Sequence, residues 1–138
     1  MIYSFGKGSM RHYSTLSYNL QWVFRETLAL GLMDFSIICG HRGERDQNVA
    51  YRAEPQKSKV RWPNSKHNKI PSEAGDCVPY INGKSSWNKL HCCVLAGIML
   101  ATAKKLGINM RWGGNWDVDG EPITDQKFDD LVHFEEVT

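Results

Sequence analysis

The sequence has no long hydrophobic run, no strong excess of either charge and no paired-cysteine signature. Its longest mostly apolar stretch, Cys92 to Ala103, falls short of the ~20 residues that cross a bilayer, so membrane insertion is not expected. Seventeen Lys and Arg against fifteen Asp and Glu leave a formal net charge of +2, too little to imply nucleic acid as a partner. The four cysteines, Cys39, Cys77, Cys92 and Cys93, contain no CxxC pair. They read as reduced core thiols rather than a disulfide frame or a zinc knuckle. The opening MIYSFGKGSMRHYS lacks a charged segment followed by an apolar one and a small-residue cleavage site. A protein held in the cytoplasm until something releases it is therefore expected.

What is present is the composition of a globular domain: 138 residues, 41% hydrophobic, 11% aromatic and 23% charged. That length predicts one domain over 1–138. The charge is polarised, with eleven basic and five acidic residues in 1–70 against six and ten in 71–138. Lys57, Lys59, Arg61, Lys66 and Lys69 make a basic run, and Asp117 to Glu136 carries eight carboxylates against Lys127 alone. Each stretch reads first as a solvated face.

Apolar positions Leu16, Leu20, Val23, Phe24, Leu28 and Leu30 recur at helical spacing, predicting a helix from Thr15 to Leu30 with Ser14 as cap and Gly31 as stop. Asp34 to Cys39 reads as a strand ended by Gly40. Arg42 to Pro71 shows little periodicity and reads as a long loop with a helical turn near 46–51, and loops of that length are usually functional. Asp76 to Tyr80 is a second strand, placed by Pro79 at an edge or a strand end. Trp87 to Leu106, capped by Ser85 or Ser86 and ended by Gly107, reads as the central buried helix. Ile108 to Trp112 and Leu131 to Val137 are further strands, separated by an acid-rich loop after Gly113 and Gly114. Mixed signals without a βαβ rhythm predict an α+β fold with a small, largely antiparallel sheet.

Of the five histidines, His67 and His133 have informative neighbours. His67 precedes Asp76 in SKHNKIPSEAGD, so a loop leads from the imidazole into the strand that begins at the carboxylate. His133 lies in FDDLVHFEE near the start of a strand. Two imidazoles and a carboxylate leave one zinc position open for water, and Asp130 or Glu135 is placed to take that water's proton. Asp117 to Glu121 has the oxygen-rich look of a calcium loop without the full pattern, and structural use is the simpler reading. Trp112 and Trp116 read as core before sugar platforms. His91, Cys92 and Cys93 stand on consecutive helical positions and cannot converge on one ion.

RWPNSKHN, PSEAGD with VPY, MRWGGNWDVDG and FDDLVHFE together resemble the phage endolysin branch of the zinc D,D-/L,D-peptidases, peptidase family M15, which includes the L-alanyl-D-glutamate endopeptidases. The family pattern is S-x-H, an aspartate seven to nine positions on, and a carboxylate three before a late histidine. Ser65, His67, Asp76, Asp130 and His133 supply it in order, and FGKGS, DFSI and the GHR turn extend the likeness over nearly the whole chain. The resemblance implies a hedgehog/D,D-peptidase-like fold, zinc held by His67, Asp76 and His133, Asp130 as general base, Arg42 against the developing oxyanion and Ser65 near the substrate. It implies a monomeric hydrolase of the peptidoglycan stem, cutting between L-Ala and D-Glu after release through a membrane pore. Gly75 and Asn115 depart from the family pattern without removing a ligand. A D-alanyl-D-alanine carboxypeptidase on the same fold and a non-catalytic wall-binding module are the rivals. A glycosidase is disfavoured because adjacent Glu135 and Glu136 face opposite sides of a strand.

Overall fold

The computed structural model describes residues 1–138. Its elements are α1 (Lys7–Tyr13), α2 (Tyr18–Ala29), β1 (Phe35–Cys39), α3 (Glu44–Arg52), β2 (Ala74–Ile81), β3 (Lys84–Ser85), α4 (Lys89–Lys105), β4 (Met110–Gly113) and β5 (Asp130–Glu136), with a 3₁₀ turn at Lys66–Asn68. The strands form an antiparallel sheet in the order β1-β2-β5-β4, with β3 paired to the far end of β2. This is the α+β architecture that the mixed signals predict.

Side chains of an antiparallel sheet alternate between faces, and paired residues share a face. Ile37 pairs with Cys77, Gly75 with Phe134 and Trp112 with Phe134, and this face is buried against Leu20, Phe24, Leu95 and Met99 of α2 and α4. A Cβ on Gly75 would stand 2.6 Å from the Phe24 ring, so only glycine lets that helix lie so close to the strand. On the other face Asp76 pairs with His133 and Arg111 with Glu135. One sheet thus separates an apolar core from a row of ionisable groups.

Several boundaries differ from expectation. α2 is capped by the Ser17 hydroxyl, which accepts from Leu20 N, whereas Ser14 bonds back to the Arg11 carbonyl. α4 is capped by Asn88 rather than Ser85 or Ser86. Nor is α4 buried all round: Cys92, Leu95, Ala96, Met99 and Ala103 face the core, while Leu90 and Val94 are exposed. The expected loop after Arg42 contains α3, a full helix. Glu44 and Asp46 in its first turn and Arg52 in its last suit the helix dipole. It buries only Gln47 and Ala50, too little to create an apolar period. Of the two placements expected from Pro79, β2 is not an edge strand, and Pro79 lies near its end. Its pairing with β5 ends at Asp76, so the N–H that Pro79 lacks is not needed there.

Candidate active site

Three segments bring the site together over the polar face of the sheet. Asp76 and His133 come from paired strands. His67 comes from the 3₁₀ turn, where the Ser65 hydroxyl accepts from His67 N at 3.1 Å and Asn68 Oδ1 accepts from Ser65 N at 3.0 Å. Ser65 therefore sets the conformation that presents the histidine, and it also borders the cavity. The turn is tied to the GHR segment by Arg42 N donating to the His67 carbonyl at 2.8 Å.

The imidazole tautomers follow from their outer partners. His67 Nδ1 lies 2.7 Å from the Gly40 carbonyl, which can only accept, so Nδ1 carries the proton. His133 Nε2 lies 2.8 Å from Glu135 Oε1 and donates to it, while Arg111 holds Glu135 Oε2 at 2.6 Å. The inward nitrogens are left with lone pairs. His67 Nε2 is 3.1 Å from Asp76 Oδ1 and 3.2 Å from His133 Nδ1, and the latter is 3.2 Å from the same Oδ1. Three electron-rich atoms at such separations repel unless a cation or protons sit among them. A tetrahedral ion with bonds of 2.0–2.1 Å would have ligand atoms about 3.3 Å apart, so the donor set fits one.

Electrostatics point the same way. Burial opposes charge on His67, but the adjacent Asp76 carboxylate outweighs it and raises the imidazole to about 10. His133, likewise buried, is raised to about 9 by its bonds to Asp76 and Glu135. Burial also works against the Asp76 charge, yet the two imidazoles hold this carboxyl well below the usual range. The cluster is a trap for positive charge.

Asp130 Oδ2 is 3.9 Å from His133 Nδ1. Burial, then repulsion from Asp76, raises the Asp130 carboxyl to about 6. Its approach depends on an irregularity: Trp112 pairs with Phe134, but the next residue, Gly113, pairs with Asp130. Residues 131–133 bulge between these pairs and re-aim Asp130. Arg42 Nη2 is 3.6 Å from Asp76 Oδ2, and its Nη1 donates to Gln47 Oε1 at 3.0 Å. Arg42, Ser65, His67, Asp130 and His133 line a cavity of about 470 Å³ together with Lys59, Trp116 and Phe128, and Asp76 lies behind the two histidines it contacts. All six residues singled out from sequence are thus within one site.

Other residues of the site carry no local sequence signal. Gln47 is fully buried and uses its whole amide: Oε1 accepts from Arg42 and Asn68, and Nε2 donates to Ser58 Oγ and the Val60 carbonyl. Glu135, left open as a proton acceptor, is instead fastened to Arg111 and His133, and both partners hold it charged, down to about 2, against the cost of burial. Cys39, read as a core thiol, lies 3.8 Å from His67 Nδ1 and 3.6 Å from Arg42 Nη2. The register shift after Ile37 pairs it with Asp76 and turns it to the polar face. The two tryptophans divide: Trp112 is buried in the core, whereas Trp116 lines the cavity with its ring 5.5 Å from that of His133. Of the acid-rich loop, exposed Asp117, Asp119 and Asp125 cluster closely enough to share an ion, with Asp125 rather than Glu121 as third member. No helix is long and apolar enough to cross a membrane.

Fold and site together define a hydrolase-type centre, in which a cluster that could hold a cation stands beside a carboxylate able to take a proton. The model of the phage L-alanyl-D-glutamate peptidase family matches residues 1–137. The chain is 34% identical over 128 residues to the L-alanyl-D-glutamate peptidase of Escherichia phage T5, covering 88% of this chain and 87% of that protein. Its fold is similar to that of the Serratia marcescens L-Ala D-Glu endopeptidase ChiX, with a TM-score of 0.75 and 24% identity over 97% of this chain and 90% of that one. The chain belongs to the phage L-alanyl-D-glutamate peptidase family.

Proposed function

We propose that the protein is a zinc-dependent endolysin that hydrolyses the L-alanyl-D-glutamate bond in the stem peptide of bacterial peptidoglycan. The observation that carries this reading is the convergence of His67 Nε2, His133 Nδ1 and Asp76 Oδ1 within 3.1–3.2 Å of one another, their outer protons committed elsewhere. His67, Asp76 and His133 would hold zinc, which when bound supplies Lewis acidity toward the scissile carbonyl and acidifies water. Asp130, kept from full solvation by burial, takes the proton of the attacking water and returns it to the leaving amine. Arg42, fixed between Asp76 and Gln47, faces the negative charge that gathers on the carbonyl oxygen, where its permanent charge lowers the barrier. Ser65 keeps His67 in place from the cavity rim.

The protein works as a monomer on the wall polymer, whose anionic character suits the basic run from Lys57 to Lys69. It reaches that polymer from the host cytoplasm through a membrane pore. Mass spectrometry of fragments released from defined peptidoglycan tests the bond choice. New D-glutamate amino termini are expected. Free D-alanine as the main product would establish the carboxypeptidase rival, and reducing sugar without new amines would overturn peptidase action.

A further inference from the structure

The cavity wall carries five basic side chains, and their partners sort them. Arg42 is held by Asp76, Arg111 by Glu135 at 2.6 Å, and Lys66 by Glu73 at 3.6 Å. Lys57 and Lys59 have no carboxylate partner. Of the two, Lys59 has a defined position: its ammonium lies 5.2 Å over the centroid of the Phe128 ring, a contact that both orients the charge and strips water from one side of it. Phe128 stands two residues before Asp130 on the same wall. The backbone bearing Lys59 is also fixed, because buried Gln47 donates to Ser58 Oγ on one side and to the Val60 carbonyl on the other, each at 2.8 Å. Lys59, though solvent-exposed, thus lines the same cavity as Asp130, the proton shuttle of the function proposed above, without a counter-charge from the protein.

The substrate of the function proposed above, on which this inference rests, has the missing charge. A glutamate joined through its amine has two carboxyl groups, and a stem peptide continues through only one. The residue on the leaving side of the scissile bond therefore presents a free carboxylate. Asp130 serves the nitrogen of that same residue, which places its carboxylate toward Phe128 and Lys59. We propose that Lys59 binds this free carboxylate and makes the enzyme select the glutamate acid over its amide.

The test uses N-acetyl-L-alanyl-D-glutamyl peptides in which one glutamate carboxyl continues into alaninamide and the other is free or blocked as the amide. The glutamate then holds the only carboxylate in the peptide. The wild-type protein should prefer the acid in kcat/KM by roughly 10- to 100-fold, the worth of a hydrogen bond to a charged group. Lys59→Met should bring that ratio near one, chiefly through KM on the acid, and Lys59→Arg should restore most of it. Lys57→Met should keep the wild-type ratio. Thermal unfolding of each variant reports whether it is folded, and Lys59→Gln serves should Lys59→Met prove unstable. A wild-type ratio in folded Lys59→Met or Lys59→Gln would overturn the proposal, as would a ratio lost in Lys57→Met alone. Equal cleavage of both peptides by the wild type would remove this inference and leave the bond assignment standing. Cleavage of neither would remove both.

Discussion

Asp130 and His133 are three residues apart, a separation that on a regular strand points two side chains to opposite faces. They converge because the strand bulges between them, and this makes Asp130 the most exacting residue to test. Asp130→Asn keeps size and loses basicity, so turnover should fall by at least the ~10²-fold of a lost general base while metal content by elemental analysis stays near wild type. Asp129, which accepts from Gln126 at 2.7 Å and does not line the cavity, should tolerate the same change. In the proposed mechanism the Asp130 carboxyl, raised to about 6, works as a base only when deprotonated. kcat/KM should therefore decline as pH falls through about 6, or somewhat lower once a bound cation offsets the Asp76 charge. A rate unchanged down to pH 4 would exclude this assignment. Glu135 accepts from His133, so if His133 holds zinc as proposed, Glu135→Gln should weaken zinc affinity by roughly 10- to 100-fold, read by competition with a chelating dye.

At the scale of elements, the site depends on two irregularities in otherwise regular strands. The shift in β1 turns Cys39 toward Asp76. The bulge in β5 sets the Asp130 backbone directly against Gly113, where a Cβ would overlap the Asp130 carbonyl. Gly113→Ala must push Asp130 outward. We expect about 1–3 kcal/mol of lost stability by denaturant titration together with a loss of turnover greater than the stability change explains, since the variant remains folded under assay. Full activity in that variant would mean that the bulge does not aim the carboxylate. α3 contributes differently: its one buried polar residue, Gln47, joins Arg42 to the Ser58–Val60 backbone, so a short polar helix organises both walls of the cavity.

Across the whole molecule, the three candidate ligands come from a turn and two strands that are separate in sequence, so an ion bound by all three ties the polar face of the sheet to the segment covering it. An ion at ~1,000 times its dissociation constant adds about 4 kcal/mol to the folded state, and thermal unfolding should rise by roughly 10 °C over chelated protein. The pH response should separate the two forms. In ion-free protein His67 and His133 hold protons up to about 10 and about 9, against an ordinary 6.5 when unfolded. The stability this confers is complete below pH 6.5 and is lost as pH rises toward 9–10. Metal affinity runs the opposite way, rising with pH as protons cease to compete. A chelated protein whose melting temperature does not fall from pH 6.5 to 9.5 would contradict this account of the cluster.

Several features were legible in the sequence because they depend on short-range chemistry. The period of α2, the strands at Phe35–Cys39 and Asp130–Glu136, and the α+β class follow from which residues alternate or recur. His67, Asp76 and His133 stood out because a loop and strand ends can carry such groups to one point, whereas the ordered set Ser65, His67, Asp76, Asp130 and His133 came from the resemblance to the family pattern. Of α3 only a turn near 46–51 was legible, because the helix buries almost nothing apolar, and α4 looked buried all round because Leu90 and Val94 give no sign of facing outward. The interior position of β2 could not be inferred from Pro79, since it depends on where a partner 57 residues away stops pairing. Gln47, Arg111 and Cys39 likewise joined the site only through the fold. Their roles arise from long-range partners and from two register shifts, and a register is decided by the packing of an entire sheet face rather than by any residue within it.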